Sequence, residues 1–290
     1  MDNRAFELVS LTCEDGLELD ALWVTPPNPR AAVVHVHGKG GNFYHNAFLR
    51  SMYSNYPNRN VALLGVNTRG NAALVEGKRG NDVIYVGSAR ERLSECLLDI
   101  SAAVDFARQR VDRVVLQGHS YGCDKVVYYA RANPDMDLVL ISPANSITLQ
   151  ERYFSFSRLK QLLTGPVDAQ SVDGWNLAPR GYYGVRTSAQ EYDIPVETHV
   201  LKAMLDGEDL TTFDYAEDPT PISAKALVLI GGTDDLQLGR ATDAVQFCSK
   251  LIPRGEVVLH ARGDHFFCGY EAELSALILD WILGNAAHGQ

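Results

Sequence analysis

The sequence predicts an α/β protein built on a mostly parallel, eight-stranded sheet with helices on both faces. Three observations carry that expectation. Short, wholly apolar runs alternate with stretches of helical periodicity along most of the 290 residues, as expected for strands buried on both faces and joined by crossover helices. One such run, Val114-Val115-Leu116-Gln117, feeds straight into Gly118-His119-Ser120-Tyr121-Gly122, with helix-compatible sequence immediately behind it. The rhythm breaks over residues 146–220 and then resumes, which reads as an insertion lying over the sheet.

Residues 6–12 and 17–24 have strand character and flank the turn Glu14-Asp15-Gly16, a hairpin at a sheet edge. Pro26-Pro27-Asn28-Pro29 breaks the chain. Residues 31–37 and 61–66 are the third and fourth strands, with a short helix at 46–56 between them. Ser88 and Glu91 have capping-box spacing, and Leu93, Cys96, Leu97, Ile100 and Val104 follow at helical intervals to about Arg108. Residues 114–118 form the fifth strand. The helix after Ser120 stops near Asn133-Pro134, because proline disfavours helical geometry in its predecessor. Residues 138–141 are the sixth strand.

Within 146–220 the pattern predicts helices around 148–163 and 188–206, the loops Gly165-Pro166, Asp173-Gly174 and Pro179-Arg180-Gly181, and no strong strand. Residues 226–230 and 256–260 are the last two strands, separated by a helix at about 240–252 that Pro253 ends. A final helix spans 271–283, with Gly284 as its stop. The expected organisation is a core of residues 1–145 and 221–290, with 146–220 as a helical cap inserted after strand 6.

The net charge of −10 and pI near 5.2 argue against nucleic acid or an anionic membrane as a partner. No apolar run approaches the roughly 20 residues that span a bilayer, and the N-terminus lacks the apolar core of a signal peptide. Five cysteines without paired spacing suit a reducing compartment. A cytoplasmic location is therefore expected. Nothing in the sequence speaks to oligomeric state.

Gly-x-Ser-x-Gly alone is most often a glycine-rich turn. With a strand before and a helix after, it is the sequence form of a nucleophile elbow, which holds Ser120 over a helix N-terminus. The alternating βα units, this elbow and the late insertion together resemble the α/β-hydrolase superfamily over nearly the whole chain. The resemblance implies roles at three further places.

His35-Val36-His37-Gly38-Lys39-Gly40-Gly41-Asn42, at the end of the third strand, resembles the superfamily's oxyanion loop. The implied donors are the backbone amides of Lys39 and Tyr121. Gly38 and Gly40 let the main chain approach substrate. A metal site is the alternative there, since His35 and His37 share a strand face, but no third ligand stands at sensible spacing. Leu229-Ile230-Gly231-Gly232-Thr233-Asp234-Asp235 resembles the acid loop. Counting three positions from Gly232 gives Asp235, the expected acid, and counting from Gly231 gives the alternative, Asp234. Ala261-Arg262-Gly263-Asp264-His265 then supplies His265 as the implied base, with His260 as a competitor that reads better as a core residue.

The implied chemistry is attack by Ser120 on an ester or thioester carbonyl, with His265 as general base and no metal or organic cofactor. The expected partner is a small-molecule substrate. Acyl transfer, as in a cyclising thioesterase, and a hydrolase-fold receptor with little turnover are the alternatives. Tyr153, Phe154, Phe156, Tyr182 and Tyr183 are candidate pocket walls in the cap. Residues 38–44 and 67–71, with Glu91 before Asp99-Ile100, resemble a branch that includes fungal siderophore ester hydrolases. Arg69, Lys78 and Arg79 read mainly as surface charge, with an anionic substrate group as the other possibility. Cys123 and Cys268 read as packing or incidental thiols.

Overall fold

A computed structural model describes residues 5–72, 75–88, 91–144, 182–185, 194–197, 219–237 and 241–284. In chain order the strands are β1 (Ala5–Thr12), β2 (Glu18–Thr25), β3 (Ala31–Val36), β4 (Val61–Val66), β5 (Val75–Arg79), β6 (Asp82–Val86), β7 (Val114–His119), β8 (Asp137–Ile141), β9 (Tyr182–Val185), β10 (Ile194–Glu197), β11 (Ala226–Gly231) and β12 (Glu256–His260). The helices are α1 (Ala47–Asn55), α2 (Cys96–Arg108), α3 (Tyr121–Ala132), α4 (Ala241–Leu251) and α5 (Glu271–Leu283).

Eight strands form one sheet in the order β1-β2-β4-β3-β7-β8-β11-β12. β1 and β2 pair antiparallel, as do β2 and β4, and every other pairing in the sheet is parallel. β3, β4, β7 and β11 are buried along their whole length, which is why they read as unbroken apolar runs rather than alternating ones. Strand alternation divides the core into two. Ala32, Val34 and Val36 of β3 pack with residues of α2, α3 and α4, while Ala31 and Val33 pack with α1 and α5. Helices therefore cover both faces. The carboxyl ends of β3, β7, β11 and β12 are left as the place where loops converge.

Three expectations needed correction. β5 and β6 form an exposed antiparallel hairpin that the sequence reading did not find. Its strands, Val-Glu-Gly-Lys-Arg and Asp-Val-Ile-Tyr-Val, lack the apolar continuity of a core strand. Ion pairs from Lys78 to Glu18 (2.7 Å) and from Arg79 to Asp15 (2.9 Å) hold it against the first hairpin.

The helix expected from Ser88 instead begins at Cys96, after a short 3₁₀ turn at Leu93–Glu95. The Glu95 carboxylate accepts from the Arg92 amide at 3.3 Å, so the box-like contact lies four residues later than the spacing suggested. Glu91 is turned inward to Lys125.

The helix expected at 188–206 gives way to β10 over Ile194–Glu197, which pairs antiparallel with β9. Pro195, with a fixed φ and no N–H, disfavours a helix interior, and β-branched Ile194 and Val196 flank it. The helix expected at 148–163 lies outside the described residues. Among the described residues no helix is long and apolar enough to cross a membrane.

Candidate active site

The site begins at the junction of β7 and α3. Ser120 has φ 53° and ψ −127°, a conformation that L-residues rarely adopt. Its amide donates to Ile141 O at 3.0 Å, and its carbonyl accepts from Cys123 N at 2.8 Å. The turn is tight enough to demand glycine on both sides. A Cβ on Gly118 would run into the Gly122 carbonyl, and one on Gly122 would meet the carbonyls of Val36 and His37. Tyr121 opens α3, so the helix N-terminus lies directly behind the serine.

The loop after β3 packs against this elbow. A Cβ on Gly38 would stand 2.9 Å from Ser120 Cβ and 3.1 Å from His119 O. The loop closes as a turn by Gly41 N donating to Gly38 O at 3.0 Å, with Lys39 and Gly40 (φ 60°) at its tip. Its conformation is fixed from beneath. His37 Nδ1 donates to Gly38 O at 2.7 Å, and His37 Nε2 accepts from Thr68 N at 3.1 Å, with Thr68 Oγ1 also at 3.1 Å.

Those partners require the neutral Nδ1–H tautomer. Burial, and secondly the nearby Lys125 ammonium, push the His37 imidazole down to about 3. Lys125 forms a buried ion pair with Glu91 at 2.6 Å and reaches Thr68 Oγ1 at 3.5 Å. On the other flank Asn71 Nδ2 donates to Gly41 O (3.0 Å), Phe43 N donates to Asn67 Oδ1 (3.0 Å) and Tyr53 OH donates to Phe43 O (3.0 Å).

The structure brings His265 together with Asp234, not Asp235. His265 Nδ1 lies 2.9 Å from Asp234 Oδ2, and both side chains are buried. Asp234 also accepts from Leu236 N (2.9 Å) and Gln237 Nε2 (3.0 Å). Asp235, the expected acid, instead opens a 3₁₀ turn and is exposed. The reason is the path of the main chain. Gly232 N still donates to His260 O, and Thr233 donates to Gly263 O from both its amide and its hydroxyl, at 2.9 Å each. The chain turns inward only after those bonds are made, and the first side chain beyond them belongs to Asp234. Asp264 shapes the opposite loop by accepting from Phe266 N and Cys268 N. His260 packs away from the pair, on Tyr270 (ring centroids 4.5 Å apart) and beside Glu273.

Residues 13–167 match the family described as alpha/beta hydrolase of unknown function (DUF1057). The chain belongs to this family. Among solved structures it is similar to Est1E from Butyrivibrio proteoclasticus, determined with ferulic acid bound. That likeness has 18% identity and a TM-score of 0.63, covering 95% of this chain and 98% of that one. It is similar too to alpha/beta hydrolase domain-containing protein 10 from mouse (16%, TM-score 0.63, 97% and 100% covered). A third is the esterase PF2001 of Pyrococcus furiosus (14%, TM-score 0.60, 96% and 91% covered). At these identities the likeness shows the fold. No curated protein matches the sequence.

Other candidates in this α/β hydrolase resolve as follows. His35, fully buried, meets Gln117 Nε2 at 2.7 Å and is held well below the usual histidine range, first by burial and then by His119. Among the described residues no group of three or more His, Cys, Asp or Glu side chains is arranged to hold a metal. Arg69 is not a surface charge. It is buried, with Nε 2.9 Å from Asp99 Oδ1 and a longer pair to Asp15.

The Cys123 thiol is buried and raised by that burial, while Cys268 is exposed. Tyr182 and Tyr183 fall in β9, whereas Tyr153, Phe154 and Phe156 lie outside the described residues. Sequence reasoning gave no role to Thr68, Lys125 or Asn71. Residues 67–71 and Glu91 had been singled out only by resemblance, and nothing local in the sequence tells that they converge on the loop at 38–43.

Proposed function

We propose that this protein is a serine hydrolase that cleaves a carboxylic ester or thioester through an acyl-serine intermediate. The observation that carries this reading is the buried Asp234–His265 pair, standing on a loop that meets the strained elbow of Ser120. His265 takes the hydroxyl proton as Ser120 Oγ attacks the carbonyl carbon. Asp234 holds the Nδ1–H tautomer and stabilises the imidazolium. The amides of Lys39 and Tyr121, on the two sides of the elbow, are the donors to the tetrahedral oxyanion. Such a pair is worth several kcal/mol when fixed in advance. His265 then returns the proton to the leaving alcohol or thiol, and the same residue activates water for deacylation.

Esterase names among the structural neighbours support an ester over an amide substrate. Residues 146–220 are proposed to supply the pocket wall, and residues 38–44 and 67–71 keep an ester of a secondary metabolite as the substrate to try first.

Turnover of short-chain p-nitrophenyl esters by the purified protein is expected. A fluorophosphonate is expected to label Ser120, read by peptide mass spectrometry, and Ser120→Ala to abolish both. Labelling of a different serine, or turnover surviving in Ser120→Ala, overturns the reading.

A further inference from the structure

The base loop is anchored firmly on the acid side. Thr233 binds Gly263 and Asp234 binds His265 itself. Neither contact sets the distance from His265 to the nucleophile, because both belong to the turn after β11. The contact that spans to the elbow comes from His119, the residue immediately before Ser120. Its Nε2 lies 3.0 Å from the main-chain oxygen of His265, 146 positions away in the chain. The ring is enclosed, 2% exposed, with Phe48, His265 and Phe266 at centroid distances of 4.9, 5.0 and 5.4 Å. On its other side a Cβ at Gly38 would stand 3.5 Å from His119 Nδ1 and 3.1 Å from His119 O. The nucleophile, the base loop and the oxyanion loop therefore all adjoin this one residue.

We infer that His119 is a positioning residue, which donates from Nε2 to the His265 carbonyl and so fixes the base against the nucleophile. The inference rests on the reading of Ser120 and His265 given above. A carbonyl partner can only accept, so Nε2 carries the proton. Burial, and secondly the neighbouring His265, push the His119 imidazole down to about 3. It therefore stays a neutral single donor while His265 gains and loses its proton, and it does not compete as a base. Losing the donor would leave a buried carbonyl unsatisfied and free the loop to shift, and a displacement near 1 Å at a reacting group costs about 100-fold in rate.

Two substitutions separate this role from simple packing. His119→Phe keeps ring volume between Phe48 and Phe266 but removes the donor. His119→Gln loses the ring but keeps an N–H donor where Nε2 stood. The expected result is a kcat loss of about 10- to 100-fold in His119→Phe with KM little changed, and kcat within about 3-fold of wild type in His119→Gln. The reverse ranking, or equal losses, overturns the inference and makes His119 a packing residue.

A second readout does not depend on turnover. In ¹⁵N-histidine-labelled protein, the His265 Nδ1 proton bonded to Asp234 is expected to keep its resonance in His119→Gln and to shift or broaden in His119→Phe. An unchanged resonance in both variants counts equally against the proposal. Wild-type protein that neither turns over esters nor labels at Ser120 overturns the hydrolase reading alone, and the resonance comparison still decides the role of His119.

Discussion

Asp234 and Asp235 are adjacent, chemically identical and both in reach of a triad by sequence spacing, yet their surroundings differ sharply. Asp234 is buried with three donors, Leu236 N, Gln237 Nε2 and His265 Nδ1, while Asp235 faces solvent. Asp234→Asn is expected to lower kcat/KM by about 10⁴-fold, because an amide supports the wrong histidine tautomer. Asp235→Asn is expected to stay within about 2-fold, as surface substitutions do. Steady-state kinetics on one ester decides this, and a larger loss in Asp235→Asn would reverse the assignment.

The pair shows what was legible residue by residue. Ser120 and His265 stand out because strand ends and glycines bracket them. The carboxylate that meets His265 does not, because the choice between neighbours depends on whether the ladder continues through Gly232 and Thr233. That is a matter of hydrogen bonds to a loop 30 residues further on.

Among the described elements, the loop at 38–43 is held by distant parts of the chain. Its inner support runs from Glu91 through Lys125 and Thr68 to His37, joining the approach to α2, helix α3 and the end of β4. Glu91→Gln would leave the Lys125 ammonium buried without its counter-charge. Breaking such a pair from one side costs about 3–5 kcal/mol, which urea denaturation would register as a lowered midpoint. A loss below about 1 kcal/mol would mean that the pair behaves like a surface salt bridge.

All five described helices were legible in the sequence, α2 with too early a start, and all eight sheet strands from apolar runs or alternation. The β5–β6 hairpin was not, since its partners are charged side chains on the first hairpin rather than a hydrophobic core. The early helix start at Ser88 failed for the opposite reason: Glu91 is a good capping residue by type, but a buried cation claims it.

At the scale of the whole molecule, burying His35, His37 and His119 together has a consequence for acid stability. Each is held neutral when folded, His37 and His119 down to about 3 and His35 well below its ordinary value, burial being the first cause in all three. In the unfolded chain they titrate near 6.5. Above that pH neither state is charged and these groups leave stability unaffected. Below it the unfolded chain takes up protons that the folded one refuses, so stability falls as pH falls, from about 6.5 towards 3.

Three such protons correspond to about 4 kcal/mol per pH unit near pH 5. Asp99, raised chiefly by its burial, opposes this at one site. Since domains are stable by roughly 5–15 kcal/mol, cooperative unfolding near pH 4–5 is expected, and a flat stability between pH 7 and 5 would contradict it. This feature was not legible in advance. His35 and His37 were visible as a pair, but only the fold puts His119 and Lys125 beside them.

Ser120, Ser142 and Phe267 have φ of 53°, 48° and 50°, and all three stand at the carboxyl end of the sheet: in the elbow, just past β8, and two residues beyond His265. A backbone held this way costs about 1–3 kcal/mol per residue, and glycine would relieve it. The molecule is therefore not as heat-resistant as its own core would allow, and three of the five described non-glycine residues with positive φ stand around the candidate site. Ser120→Gly is expected to melt at a higher temperature than Ser120→Ala, by about 1 kcal/mol in unfolding free energy, with neither expected to turn over esters. Ser120→Gly should also melt above the wild-type protein, so a screen that rewarded thermal endurance alone would select against a side chain at position 120.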